Sequence, residues 1–86
     1  MRKDEILKHP LVTEKAVRLM NSENKILFVV DMKSKKDEIK KAVERNFDIK
    51  VDKVTTFLSN KGEKKAYVKL NKNYQAIDLM TKLGLI

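Results

Sequence analysis

Val51-Asp52-Lys53-Val54-Thr55-Thr56-Phe57-Leu58, followed by Ser59-Asn60-Lys61-Gly62-Glu63 and then Lys64-Lys65-Ala66-Tyr67-Val68-Lys69-Leu70, decides the fold. The two outer segments are rich in β-branched and aromatic residues and read as strands. The five residues between them contain Gly62, which takes the positive φ of a tight hairpin connection at no steric cost. Side chains alternate across a strand, so Lys53, Thr55 and Phe57 share one face, and Lys65, Tyr67 and Lys69 share a face of the next strand. If the two faces coincide, they make a basic surface carrying two aromatic rings. Between Lys53 and Lys72 there are six lysines and one acid, Glu63. Lysines neutralise phosphates and rings stack on bases, a combination suited to RNA. The alternation fits equally well if the rings lie under a helix and the lysines form a solvated edge, and the two strands alone leave both arrangements open.

The whole chain narrows the classes. Its 86 residues suit one domain, burying about 60–65% of the surface of the unfolded chain and leaving little room for a deep cleft. A net charge of +8 favours a polyanionic partner, of which a phosphate backbone is the commonest. With 42% hydrophobic residues and only three Gly and Pro together, the chain is not a disordered basic tail and its loops are short. It has no cysteine, which excludes a disulfide framework and a thiolate site. The longest apolar run, Ile26 to Val30, is too short to span a bilayer, and M-R-K-D-E-I-L-K lacks a signal-peptide apolar region. A soluble, intracellular protein without membrane insertion is the expectation.

Moving outward from the hairpin, K-I-L-F-V-V-D over Lys25–Asp31 is apolar on both faces and predicts an interior strand. Ile39, Ala42, Val43 and Phe47 recur at helical spacing, with Ser34 expected as N-cap and Asp37 three residues on. Earlier, Arg2–Leu7 reads as a helical turn or arm, and His9-Pro10-Leu11-Val12 as a brief edge strand. Thr13 then caps a helix running to about Met20, with Ala16, Val17 and Met20 on its buried stripe. After the hairpin, Ala76, Ile77, Met80 and Leu83 mark a final short helix before Gly84. The order strand, helix, strand, helix, strand, strand, helix gives an α+β fold with a mainly antiparallel sheet.

Catalytic constellations are scarce. His9 is the only histidine, so a triad has no other base, and the bland reading of a surface or RNA-contacting loop residue prevails. Asp4-Glu5 and Asp37-Glu38 are adjacent acids near helix starts, explained by the helix dipole and not at metal-ligand spacing. Glycine only at 62 and 84 precludes a phosphate-cradling loop, although Lys61-Gly62 could itself meet a phosphate. No enzyme, cofactor, metal or small-molecule substrate is expected. Glu14 and Asp48 are read as acids at element starts, where capping or solvation suffices.

Lys64-Lys65-Ala66-Tyr67-Val68-Lys69-Leu70-Asn71, with Leu79 beyond, resembles the signature of the universal large-subunit ribosomal protein L twenty-three family. H-P-L-V-T-E-K-A resembles the family's proline and Ser/Thr-Glu-Lys stretch. K-I-L-F-V-V-D is similar to its central strand, and K-K-D-E-I-K-K-A-V-E-R-N-F-D-I-K-V to its helix and following strand. Together the four cover Pro10 to Leu79 in order. The resemblance implies a split β-α-β arrangement with a four-stranded sheet, order 1-2-4-3, packed between helices. It also implies binding to large-subunit ribosomal RNA beside the polypeptide exit tunnel, next to ribosomal protein L twenty-nine. The signal recognition particle and other nascent-chain factors dock there, and Glu14 matches the family's docking acid, with Asp48 a further candidate. Bacterial members carry a long hairpin connection into the tunnel. Here it is only Ser59 to Glu63, so the chain resembles the archaeal type.

The candidate RNA contacts are Lys15, Arg18, Lys61, Lys64, Lys65 and Lys69, with Thr13, Asn60 and Tyr67 as hydrogen-bonding or stacking partners. Lys33, Lys36 and Lys40 are secondary candidates on a helix's outer face. Two other readings remain at this point. A stand-alone single-stranded RNA-binding module would stack bases on Phe57 and Tyr67 and needs both rings on an uncovered sheet face. An adaptor that binds only protein would be insensitive to salt and to the hairpin lysines.

Overall fold

Seven elements follow one another in the computed structural model, which describes residues 6–85. They are β1 (Leu7–Pro10), α1 (Glu14–Glu23), β2 (Lys25–Val30), α2 (Lys36–Phe47), β3 (Val51–Leu58), β4 (Lys64–Leu70) and α3 (Ala76–Lys82). The strands form one antiparallel sheet in the order β1-β2-β4-β3. Both the α+β class and the sheet order implied by the resemblance hold. Because β2 and β3 each pair antiparallel with β4, they run parallel to each other, and α2 makes the crossover between them.

Alternation places the core. Ile26, Phe28 and Val30 of β2 and Ala66, Val68 and Leu70 of β4 share a face and pack in one cluster with Met20 of α1, Ile39 and Val43 of α2, and Leu79 and Met80 of α3. Phe47 stacks on Phe28 with ring centroids 5.9 Å apart. Leu27 and Val29 are buried as well, so β2 is covered on both faces, as its unbroken apolar run predicts. The Glu44 carboxylate accepts from the Val51 amide at 2.9 Å, tying α2 to the start of β3.

Local chemistry shifts several boundaries. The edge strand begins at Leu7 and ends at Pro10, which has no N–H to extend the ladder; the next amide, Leu11, still donates to the Leu27 carbonyl at 2.8 Å. Leu7 therefore opens a strand instead of closing a helical turn, and residues 1–5 of the expected arm lie outside the described residues. Thr13 caps α1 as expected, its hydroxyl accepting from the Ala16 amide at 3.1 Å. The helix runs past Met20 to Glu23 because Asn24 takes the left-handed conformation, φ 57°, and its N–H closes onto the Leu19 carbonyl.

Ser34 is not the cap of α2. Its hydroxyl donates to the Asp31 carbonyl at 2.6 Å, which holds it buried in the preceding turn. Lys35 takes the cap position instead, and its amide donates to the Glu38 carboxylate at 2.9 Å. Asp48 stands at the end of α2, not at the start of an element: it is the left-handed C-cap, φ 54°, a conformation that a short polar side chain tolerates. In α3 the buried stripe is Ala76, Leu79 and Met80, leaving Ile77 and Leu83 exposed.

The hairpin connection follows expectation. Gly62 has φ 78° and its amide donates to the Ser59 carbonyl at 3.0 Å, while the Ser59 amide donates to Glu63 at 2.8 Å. A Cβ at Gly62 would meet nothing within 4 Å, so only the backbone conformation opposes substitution. Gly62→Ala is expected to cost about 1 kcal/mol in urea unfolding with the fold unchanged. A neutral result would show that the turn relaxes freely.

Candidate nucleic-acid interface

Pairing between β3 and β4 decides whether the two predicted faces meet. Lys53 lies opposite Lys69, Thr55 opposite Tyr67, and Phe57 opposite Lys65. Directly opposed residues of an antiparallel pair point to the same side, so the faces coincide. Phe57 and Tyr67 stack with centroids 5.4 Å apart and planes 24° from parallel. Phe57 remains 38% exposed and Tyr67 is half-buried, so neither ring is lost beneath a helix.

The candidate residues fall into three places. Lys65, Tyr67 and Lys69 share this face, and Asn60 and Lys61 are exposed at the adjoining hairpin tip. Lys15 and Arg18 lie exposed on α1, where Arg18 meets Glu14 at 2.8 Å across one helical turn. Such an exposed pair is readily exchanged for another partner. The Thr13 hydroxyl accepts from the Ala16 amide in its helix cap, which fixes the side chain and leaves its O–H free to donate. Lys33, Lys36 and Lys40 are exposed away from the strands.

Lys64 stands apart from its neighbour. It alternates with Ala66, Val68 and Leu70, and its Nζ donates to the Ser34 carbonyl at 2.6 Å. The ammonium thus braces the turn before α2 while Lys65 faces outward. Of the docking candidates, Glu14 and Asp48 are both exposed. Two lysines outside the sequence-derived candidates also lie on the face of Lys65 and Lys69: Lys25 is aligned with Lys69 by the pairing of β2 with β4, which only the sheet order reveals, and Lys53 lies opposite Lys69 on β3.

Among the described residues no three His, Cys, Asp or Glu side chains are grouped to hold a metal ion, and no helix is long and apolar enough to cross a membrane. An open groove of about 590 Å³ runs between α1 and α3, lined in part by Lys69, Lys72 and Gln75. Fold and surface together define a small basic α+β protein organised around a sheet face that bears lysines and rings.

The profile of the family Ribosomal protein L23 matches residues 5–79. The large ribosomal subunit protein uL23 of the archaeon Pyrobaculum aerophilum is 49% identical over 81 residues, covering 94% of this chain and all of that protein. The chain belongs to the ribosomal protein L23 family. It is thus a protein of the large ribosomal subunit, cytoplasmic and ribosome-associated, and not an enzyme.

Proposed function

We propose that residues 1–86 act as one RNA-binding domain that fixes large-subunit ribosomal RNA beside the polypeptide exit tunnel, next to ribosomal protein L twenty-nine. The carrying observation is the shared face of β3 and β4, on which Lys65, Lys69 and Tyr67 lie beside an exposed Phe57. Lys61 and Asn60 extend it at the hairpin tip, and Lys15 and Arg18 provide a second basic point on α1. Binding is mostly phosphate neutralisation and shape recognition, since helical RNA hides base edges in a deep, narrow groove. Glu14, at the exposed first turn of α1, and Asp48 offer acids to the signal recognition particle and other nascent-chain factors. No cofactor or small molecule enters this reading.

Affinity for an archaeal large-subunit ribosomal RNA domain, compared with an unstructured RNA of equal length across a salt series, tests it. Tight, domain-selective binding that weakens with a slope of several counterions is the expected result. Equal affinity for both would favour the stand-alone single-stranded module, which the exposure of Phe57 keeps in play. No binding at low salt would sink both.

A further inference from the structure

Three lysines line up where a sheet least tolerates them. Lys25 of β2 is directly opposite Lys69 of β4, and Lys69 is directly opposite Lys53 of β3. Like charges placed opposite one another destabilise a sheet, and here the middle lysine has one on either side. Among the described residues Lys25 meets Glu23 at 3.0 Å, while Lys69 and Lys53 have no carboxylate within ion-pair distance.

A backbone irregularity produces this row. β3 shifts register between Val51 and Lys53, with Val51 opposite Leu70 and Lys53 opposite Lys69. Regular pairing onward from Val51 would have set Asp52 opposite Lys69, an attractive pair, and turned Lys53 toward the core. The bulge instead brings Val54 into the core and swings Lys53 onto the lysine row. Asp52 is left at the margin, accepting from the Asn71 side chain at 3.1 Å. On the outer face of α2, by contrast, Lys36, Lys40 and Lys41 are interleaved with Asp37 and Glu38, the pattern of a solvated surface.

We infer that Lys25, Lys69 and Lys53 form a track for successive phosphates of an unpaired ribosomal RNA segment, one base of which stacks on the exposed side of Phe57. The inference rests on the RNA-binding reading and adds a direction to it. With strands about 4.8 Å apart, the row crosses three strands over about 10 Å, so the RNA backbone runs perpendicular to the strands. Lys69 also lines the open groove between α1 and α3, where Lys72 extends the positive charge. On the other side of Tyr67 lies Phe57, whose free side is a platform for a base. A base inside a duplex has no free face to offer, which makes the segment unpaired.

The test separates stability from binding, using the full chain. Neutralising the middle of the row relieves repulsion in the free protein but removes a phosphate contact. Lys69→Gln is expected to raise Tm at low salt by about 2 °C while weakening binding to archaeal large-subunit ribosomal RNA and reducing the salt slope by about one. Lys53→Gln should do the same. Phe57→Ala should weaken binding about tenfold with the slope unchanged, and Lys41→Gln on α2 should change neither affinity nor slope. Wild-type affinity and slope in both lysine variants, with the wild type still binding, would overturn the track and leave the RNA reading standing. Failure of the wild type to bind would overturn both.

Discussion

Asn24→Ala is expected to lower the stability of the protein by about 3 kcal/mol, more than any other single polar substitution considered. Asn24 closes α1 in the left-handed conformation, and its amide reaches across the sequence to the loop before α3. Its Nδ2 donates to the Tyr74 carbonyl at 2.7 Å, with longer contacts to the carbonyls of Leu70 and Asn71. Its Oδ1 accepts from the Ala76 amide at 2.7 Å. One side chain thus joins the end of α1 to the end of β4 and the first residue of α3. Alanine deletes the bonds, leaves partly buried backbone groups without partners and strains the αL backbone, three losses in the same direction.

Two companion variants apportion the loss. Asn24→Gly keeps the αL conformation without strain, so it reports the side-chain bonds alone and should lose about 2 kcal/mol. Asn24→Asp keeps an acceptor for Ala76 but sets a carboxylate against the Tyr74 carbonyl, and should be worse than glycine. Urea unfolding followed by circular dichroism gives the ranking. A glycine variant as stable as the wild type would mean that the amide contributes nothing and that only the backbone conformation matters.

Asn24 also illustrates what could and could not be read from the chain. The apolar stripe predicts a helix end near Met20, and the helix runs on to Glu23 before Asn24 stops it. Its partners at Tyr74 and Ala76 are some fifty residues away and became visible only once the sheet brought β4 beside β2. The elements themselves were legible because each rests on a local periodicity: the run Ile26–Val30, the stripe Ile39, Ala42, Val43, and the alternation across Lys64–Leu70. Ser34 was misplaced for a related reason. Serine before a helix suits either a cap or a turn, and the nearby Asp31 carbonyl captured its hydroxyl. The sheet face with Lys65, Tyr67 and Lys69 was foreseen from the period of two. Alignment of Lys25 and Lys53 with Lys69 was not, because it depends on strand order and on a bulge that no short-range pattern announces.

Adjacent lysines should respond in opposite ways, and this is the sharpest check on the interface. In sequence Lys64 and Lys65 are equivalent; in the sheet they point to opposite sides. Lys64→Glu removes the 2.6 Å charge-assisted bond to the Ser34 carbonyl and puts a carboxylate against that oxygen, beside the acidic first turn of α2. It is expected to cost about 2 kcal/mol of stability, with a smaller effect on RNA affinity in the molecules that remain folded. Lys65→Glu breaks no bond found in the structure and lies opposite Phe57 on the open face. Its stability should stay within about 0.5 kcal/mol of wild type. Its RNA affinity should fall about tenfold or more, because a phosphate contact becomes a repulsion, and the salt slope should shrink by one to about two. Measuring unfolding and RNA titration on both variants gives a two-by-two comparison in which each lysine moves one quantity. If Lys64→Glu weakened RNA binding as strongly as Lys65→Glu while both remained stable, the bond to Ser34 would not hold Lys64 in solution. The basic surface would then wrap around the end of the sheet instead of lying on one face.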